Sequence, residues 1–204
     1  MNLLNYQRTI FGYHGCDRAI ADPVLTGRRQ LGPSSNEYDW LGSGIYFWEH
    51  GPSRALEWAE NTAKRPGSTI KEPAVLGAVI QLGICFDFLD TRHTDYLAFN
   101  FPRYMQALED EGKPLPKNKH TPGSDEDWAL RRLDCQFINW LVPVLEADLN
   151  TRIQTIRGVF QEGEPAFPGG GIRRKSHIQI AVRDPSVIEG FFHPFDQPPI
   201  SADS

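Results

Sequence analysis

Residues 73–90 read PAVLGAVIQLGICFDFLD, a long apolar stretch rich in Val, Ile and Phe. Its glycines, its polar flanks and Asp87 argue for a sheet strand, with Gly83 as the point of a bend. A strand of this kind needs partners, and the rest of the chain offers them. RTIFGY (8–13) is a first strand, running into a short helix for which Asp17 is a cap. GSGIYFWE (42–49) is a short aromatic strand behind a Gly-Ser-Gly turn. IQTIRGVF (153–160) and HIQIAVRD (177–184) are late strands, and VIEGFFHPF (187–195) adds an edge strand. Between 177 and 183 the alternation is strict: Ile178, Ile180 and Val182 point one way, and His177, Gln179, Ala181 and Arg183 the other.

Helical spacing appears in three places. SRALEWAENTAKR (53–65) repeats Ala55, Trp58, Ala59 and Thr62, with Ser53 as a natural N-cap. Residues 93–111 place Tyr96, Leu97, Phe101, Tyr104 and Leu108 on one broad face. Residues 124–149 place Trp128, Leu130, Leu133, Phe137, Trp140 and Leu141 on another. Ser124 and Asp127 approximate a capping box there, and Pro143 kinks or ends the helix. Residues 26–42 and 111–127 read as loops rich in turn residues, and the last residues are expected to fray. This order predicts an α+β layout in one domain over 1–204, with a helical insertion at about 91–150.

Composition narrows the function classes. The net charge of −5 does not suit a broadly basic nucleic-acid surface, although a local basic patch is compatible with it. Cys16, Cys85 and Cys135 are far apart and odd in number, which fits neither a disulfide framework nor a zinc site and points to a reducing, cytoplasmic setting. Neither a signal-peptide pattern nor an apolar run of about 18 residues is present. The six histidines have no paired metal-ligand spacing, and no metal is expected. A P-loop, a Rossmann glycine pattern and a nucleophile elbow are all absent. The triple glycine at 169–171 is a weak phosphate-loop signal and reads more simply as a flexible loop.

Three spots remain: His14 at a strand end, Tyr46 on a strand behind glycines, and the polar face of 177–183. Taken singly, each has a structural explanation: a satisfied histidine, a core aromatic, a solvent-facing Gln. Their combination and order say more. FGYHGCD, then WLGSGIYFWE and ALEWA, resemble the N-terminal half of an ADP-ribosyltransferase of the His-Tyr-Glu class, which includes diphtheria-toxin-like toxins and poly-ADP-ribose polymerases. HIQIAVRDPSVIEGFF is similar to the late strand of that class, with Gln179 where the class has its Glu. The middle of the chain carries no such likeness.

The resemblance implies two small, mostly antiparallel sheets packed as a split β-sandwich, with NAD in the cleft between them. It implies transfer of ADP-ribose from NAD to a macromolecule, protein or nucleic acid. His14 would hydrogen-bond ribose hydroxyls, and Gly15 would hold the nicotinamide amide. Tyr46 would stack on the nicotinamide ring, and the glycines at 42 and 44 would allow close backbone approach. The transition state of such a transfer is oxocarbenium-like, so position and charge stabilisation matter more than a potent nucleophile. The chain departs from the pattern twice. Cys16 stands where Thr or Ser is usual, and a thiol bonds more weakly than a hydroxyl. Gln179 is neutral and stabilises a cation less than a carboxylate does.

Three readings of Gln179 stay open. The amide suffices for a strongly nucleophilic acceptor; or Glu162 or Glu164, in the loop before the strand, supplies a carboxylate, Glu164 being preferred; or the fold binds NAD-like ligands without transfer. Arg173 and Arg174, with Lys175, would contact the pyrophosphate or an acceptor. By analogy with toxins of toxin–antitoxin or phage-defence systems, an antitoxin protein is an expected partner. NAD glycohydrolysis and a non-catalytic NAD- or ADP-ribose-binding module are the alternatives.

Overall fold

The computed structural model describes residues 4–120 and 128–194. The elements run β1 (Asn5–Asp17), α1 (Arg18–Leu25), β2 (Ile45–Glu49), α2 (Pro52–Ala63), β3 (Pro73–Asp87), α3 (Thr91–Asp110), β4 (Lys119–His120), β5 (Trp128–Leu130), α4 (Arg132–Leu149), β6 (Thr155–Phe160), β7 (His177–Val182) and β8 (Ile188–Phe192). The layout is α+β.

Apart from the small β4-β5 pair, the strands do not divide into the two packed sheets of a split sandwich. They pair in the order β1-β2-β7-β6-β3, and β3 pairs back to β1, so five strands close into a ring with β8 attached to β3. The reason lies in β3. Over 73–84 it runs antiparallel to β1; its other edge takes β8 at 77–80 and β6, in parallel, at 85–87. The change of neighbour occurs around Gly83, whose φ of +59° bends the strand and which lies opposite a register shift in β1. A side chain there would collide with Gln154 Oε1, which instead accepts from the Ile84 amide. One long strand thus joins what two sheets would keep apart.

Alternation sorts the side chains into two cores. Ile10, Phe47, Leu76, Ile80, Ile180 and Val182 fill the inside of the ring, with α1 closing over them. Leu41, Phe86, Phe137, Leu141, Ile156 and Ala181 fill the layer between the outer face of the ring and α3 and α4. Asp17 caps α1 as expected, accepting from the Ala19 amide at 2.9 Å. The N-cap of helix α2 lies two residues before Ser53, at Gly51, with Pro52 in the first turn, where a missing N–H costs nothing. Helix α4 begins at Arg132, not near 124; residues 128–130 form β5, paired with β4. The expected capping box at Ser124 and Asp127 lies outside the described residues. Pro143 does not end α4, which continues to Leu149 and stops on Asn150 in the left-handed region.

The inside of the ring is not wholly apolar. Arg157 on β6 forks between Glu49 of β2, at 2.6 and 3.2 Å, and Asp87 of β3, at 2.9 Å. All three are buried, and Arg8 meets Glu49 from the surface at 3.3 Å. Among the described residues no helix is long and apolar enough to cross a membrane. Replacing Arg157 by Met leaves two buried carboxylates without their cation. Urea unfolding is expected to show a loss of about 3–5 kcal/mol. The apolar triple variant E49L/D87L/R157M is expected to recover most of that loss.

Candidate functional site

The region around His14 is built by a seam that opens. Strand β1 pairs with β2 only at Gly12↔Glu49 and Tyr13↔Trp48, and His14 follows directly. Its Nδ1 lies 2.8 Å from the Tyr46 carbonyl. A carbonyl can only accept, so Nδ1 carries the proton and Nε2 keeps its lone pair. Burial pushes the His14 pKa down, and the bond to Tyr46 pulls it only partly back. The imidazole is therefore a neutral acceptor at its free nitrogen.

Tyr46 is half-buried, and its phenol is tied at both roles: it accepts from the Leu41 amide at 2.9 Å and donates to the Gly42 carbonyl at 2.8 Å. Burial, then the charge of Asp39, raises the phenol well above its ordinary pKa. Gly44 exchanges backbone hydrogen bonds with Ser34, so its own amide and carbonyl are engaged. A Cβ on Gly44 would stand 3.0 Å from the Val182 carbonyl. Gly15 is needed for another contact: a Cβ there would lie 2.3 Å from the Ala55 carbonyl of α2. Cys16 is 4% exposed in the inner core, and burial lifts its thiol to about 11. It serves as a small packing group.

Gln179 pairs with Trp48, and Ala181 with Tyr46, across β2 and β7. Tyr46 and Gln179 consequently share the outer face of the ring, while His14 shares the inner face with Cys16 and Phe47. The structure links His14 to Tyr46 through the backbone, and places Gln179 on the face of Tyr46 and opposite to that of His14. The Gln179 side-chain oxygen accepts from the Trp40 indole at 2.6 Å. Trp40 in turn carries the Arg131 guanidinium 4.2 Å above its ring, and a Cβ on Gly158 would meet its edge at 2.5 Å. Trp40 and Arg131 were not legible as neighbours of this position: Trp40 sits in a segment rich in Gly, Pro, Ser and Asn, 139 residues from its partner.

The loop before β7 is a hairpin. Ala166, Arg174 and Lys175 donate to Ile172, Glu164 and Glu162 across it. Glu162 is held by Arg54 of α2 at 2.7 Å, and Lys175 by Glu57 of the same helix at 2.5 Å. Arg54 and Glu57 also pair with each other. Arg173 donates to the Gly163 carbonyl at 3.3 Å. Glu164 and Arg174 are exposed, and neither side chain has a charged partner among the described residues. Of the two candidate carboxylates, Glu162 is committed to anchoring the loop and Glu164 stands in solvent. No group of three or more His, Cys, Asp and Glu among the described residues is placed to hold a metal.

The chain is similar to the uncharacterized protein MJ0359 of Methanocaldococcus jannaschii. The two are 32% identical over 209 residues, covering 92% of this chain and 87% of that protein. It belongs to the same family. No family model matches the chain, and no solved structure does. The relationship therefore brings kinship over nearly the whole length but no activity.

One further side chain stands out. His177 stacks on Phe160, with ring centres 5.5 Å apart, and its Nδ1 donates to the Lys175 carbonyl at 2.7 Å. Burial holds its pKa down to about 4. The unfolded chain takes up this proton first as pH falls below about 6.5. The associated stability is complete above that value and disappears as pH falls through about 4. Urea unfolding is expected to lose about 3 kcal/mol through this group over that window. A His177→Phe variant is expected to show a correspondingly flatter fall with pH.

Proposed function

We propose that this chain is an NAD-dependent ADP-ribosyltransferase acting on a macromolecular target. In this reading the ring of strands is a variant of the ADP-ribosyltransferase fold whose cleft is the opening between β1 and β2. The observation that carries the proposal is the bond from His14 Nδ1 to the Tyr46 carbonyl across that opening. It ties the His14 ring to the main chain of Tyr46, the two side chains standing on opposite faces of the ring of strands, and leaves Nε2 as an acceptor suited to a ribose hydroxyl. The phenol of Tyr46, anchored on Leu41 and Gly42, fixes the ring in one orientation, as a stacking platform requires.

In the reaction the bond from the ribose C1′ to the nicotinamide nitrogen breaks, and nicotinamide leaves with the bonding pair. The acceptor nucleophile bonds to C1′ and releases its proton to solvent. The positive charge that builds on the ribose needs a nearby acceptor of hydrogen bonds or a negative charge. Gln179 offers a carbonyl, and Glu164, exposed on the hairpin, is the carboxylate free to approach a bound acceptor. Arg173 and Arg174 would meet the acceptor or the pyrophosphate. A toxin neutralised by an antitoxin protein is the setting this activity would suit.

A second reading is favoured by one contact. The Gln179 oxygen already bonds the Trp40 indole, which fits a module that binds NAD or ADP-ribose without transfer. Incubation with NAD labelled in the adenylate separates the possibilities. Label retained on protein or nucleic acid is the expected result. Free nicotinamide without retained label means glycohydrolysis, and neither product means a binding module. His14→Ala and Tyr46→Ala are each expected to abolish activity in variants whose thermal unfolding confirms a folded chain. Full activity in both would remove the site assignment. Comparing Gln179→Ala with Glu164→Ala then locates the polar group that assists bond cleavage; wild-type rates in both would exclude the two.

A further inference from the structure

A concavity of about 370 Å3 lies where the loop after α3 folds against the start of α4. Lys113, Lys117, Lys119 and Arg132 line it, together with Gln136, over an apolar floor that includes Leu108 and Leu115. Among the described residues no carboxylate lines it. Lys113 has Glu111 as a partner at 2.6 Å, and Arg132 has Glu37. Lys117 and Lys119 are exposed and have no acidic partner among the described residues. Among the described residues, two cations without an acidic partner therefore flank one cavity in a protein whose net charge is −5.

The placement is held by Asn118, the residue between them. Its side-chain oxygen accepts from the Leu133 amide at 2.9 Å, and its side-chain nitrogen donates to Asp134 at 3.1 Å. This staples the loop to the first turn of α4. Arg132 and Gln136, four residues apart, stand on one face of that helix. The positive end of the eighteen-residue α4 lies on the same side and adds to the field. The volume is near the lower end of that of small-ligand sites, roughly 300–1,000 Å3.

We infer that this cavity binds a nucleotide unit: its phosphate on Lys117 and Lys119, its base against the apolar floor. Arg132 and Gln136 supply further donors along one wall. A free mononucleotide and a unit of a nucleic-acid strand share this chemistry. The site uses none of the residues assigned to NAD and stands independently of that activity.

The test is fluorescence anisotropy of a labelled ten-nucleotide RNA on the full chain. The competitors are adenosine 5′-monophosphate, adenosine, inorganic phosphate and a deca-glutamate peptide. The expected result is binding of the RNA that falls with salt, and loss of at least tenfold in affinity in K117A/K119A. The double variant should also flatten the slope of log K against log salt by about 1.4, two phosphates at about 0.7 each. Displacement by the mononucleotide, but not by adenosine, identifies the free nucleotide as a ligand. RNA binding that the mononucleotide does not displace, and that the double variant weakens, identifies the strand. The control K64A/K71A, two exposed lysines elsewhere, is expected to bind like the parent. The inference is overturned if neither RNA nor mononucleotide binds, if K117A/K119A binds with unchanged affinity and slope, or if deca-glutamate competes as well as the mononucleotide.

Discussion

The fork of Arg157 between Glu49 and Asp87 ties together three strands that are far apart in the chain. Strand β6 lies parallel to β3 over only Cys85↔Thr155, Phe86↔Ile156 and Asp87↔Arg157. So short a ladder specifies its register weakly by itself. A slip of one residue would turn Arg157 out of the ring and bring Gly158 in, losing both carboxylate contacts at once. Desolvating three charges is expensive, and an apolar cluster of the same volume would be as stable or more so. The gain from the ions is the choice of one pairing, and that choice closes the ring.

Much of this was legible in the sequence where a pattern is local. The alternation at 177–183, the helical spacing at 53–65 and 93–111, the cap at Asp17 and the bend at Gly83 all rest on neighbours within a few residues. Closure of the ring was not legible, because it depends on β3 changing partners halfway along. Arg157 was not legible either: in IQTIRGVF it has the look of a solvent-facing residue on an alternating strand. The start of α4 was misplaced because residues 128–130, which extend the same apolar pattern, pair with Lys119–His120 instead. The helix then begins beyond them.

The candidate site was legible as a set of residue types and not as an arrangement. His14 and Tyr46 meet, but through a main-chain carbonyl. Gln179, which stands where the resembling class has its Glu, spends its oxygen on an indole from a loop that no periodicity marks. Cys16, Gly15 and Gly44 each carry a packing duty. A polar residue in this region therefore has two occupations, and its replacement changes the scaffold along with any chemistry.

Helix α2 connects two parts of this region that the chain separates by well over a hundred residues. At one point its Ala55 carbonyl presses on Gly15, beside His14; one residue earlier, Arg54 grips Glu162 at the root of the hairpin. The helix is thus a strut with both loads on the same turn. A molecule that pulled the hairpin outward would also unload the strand that carries His14. The hairpin and the strand that carries His14 thus lean on a single turn of one helix.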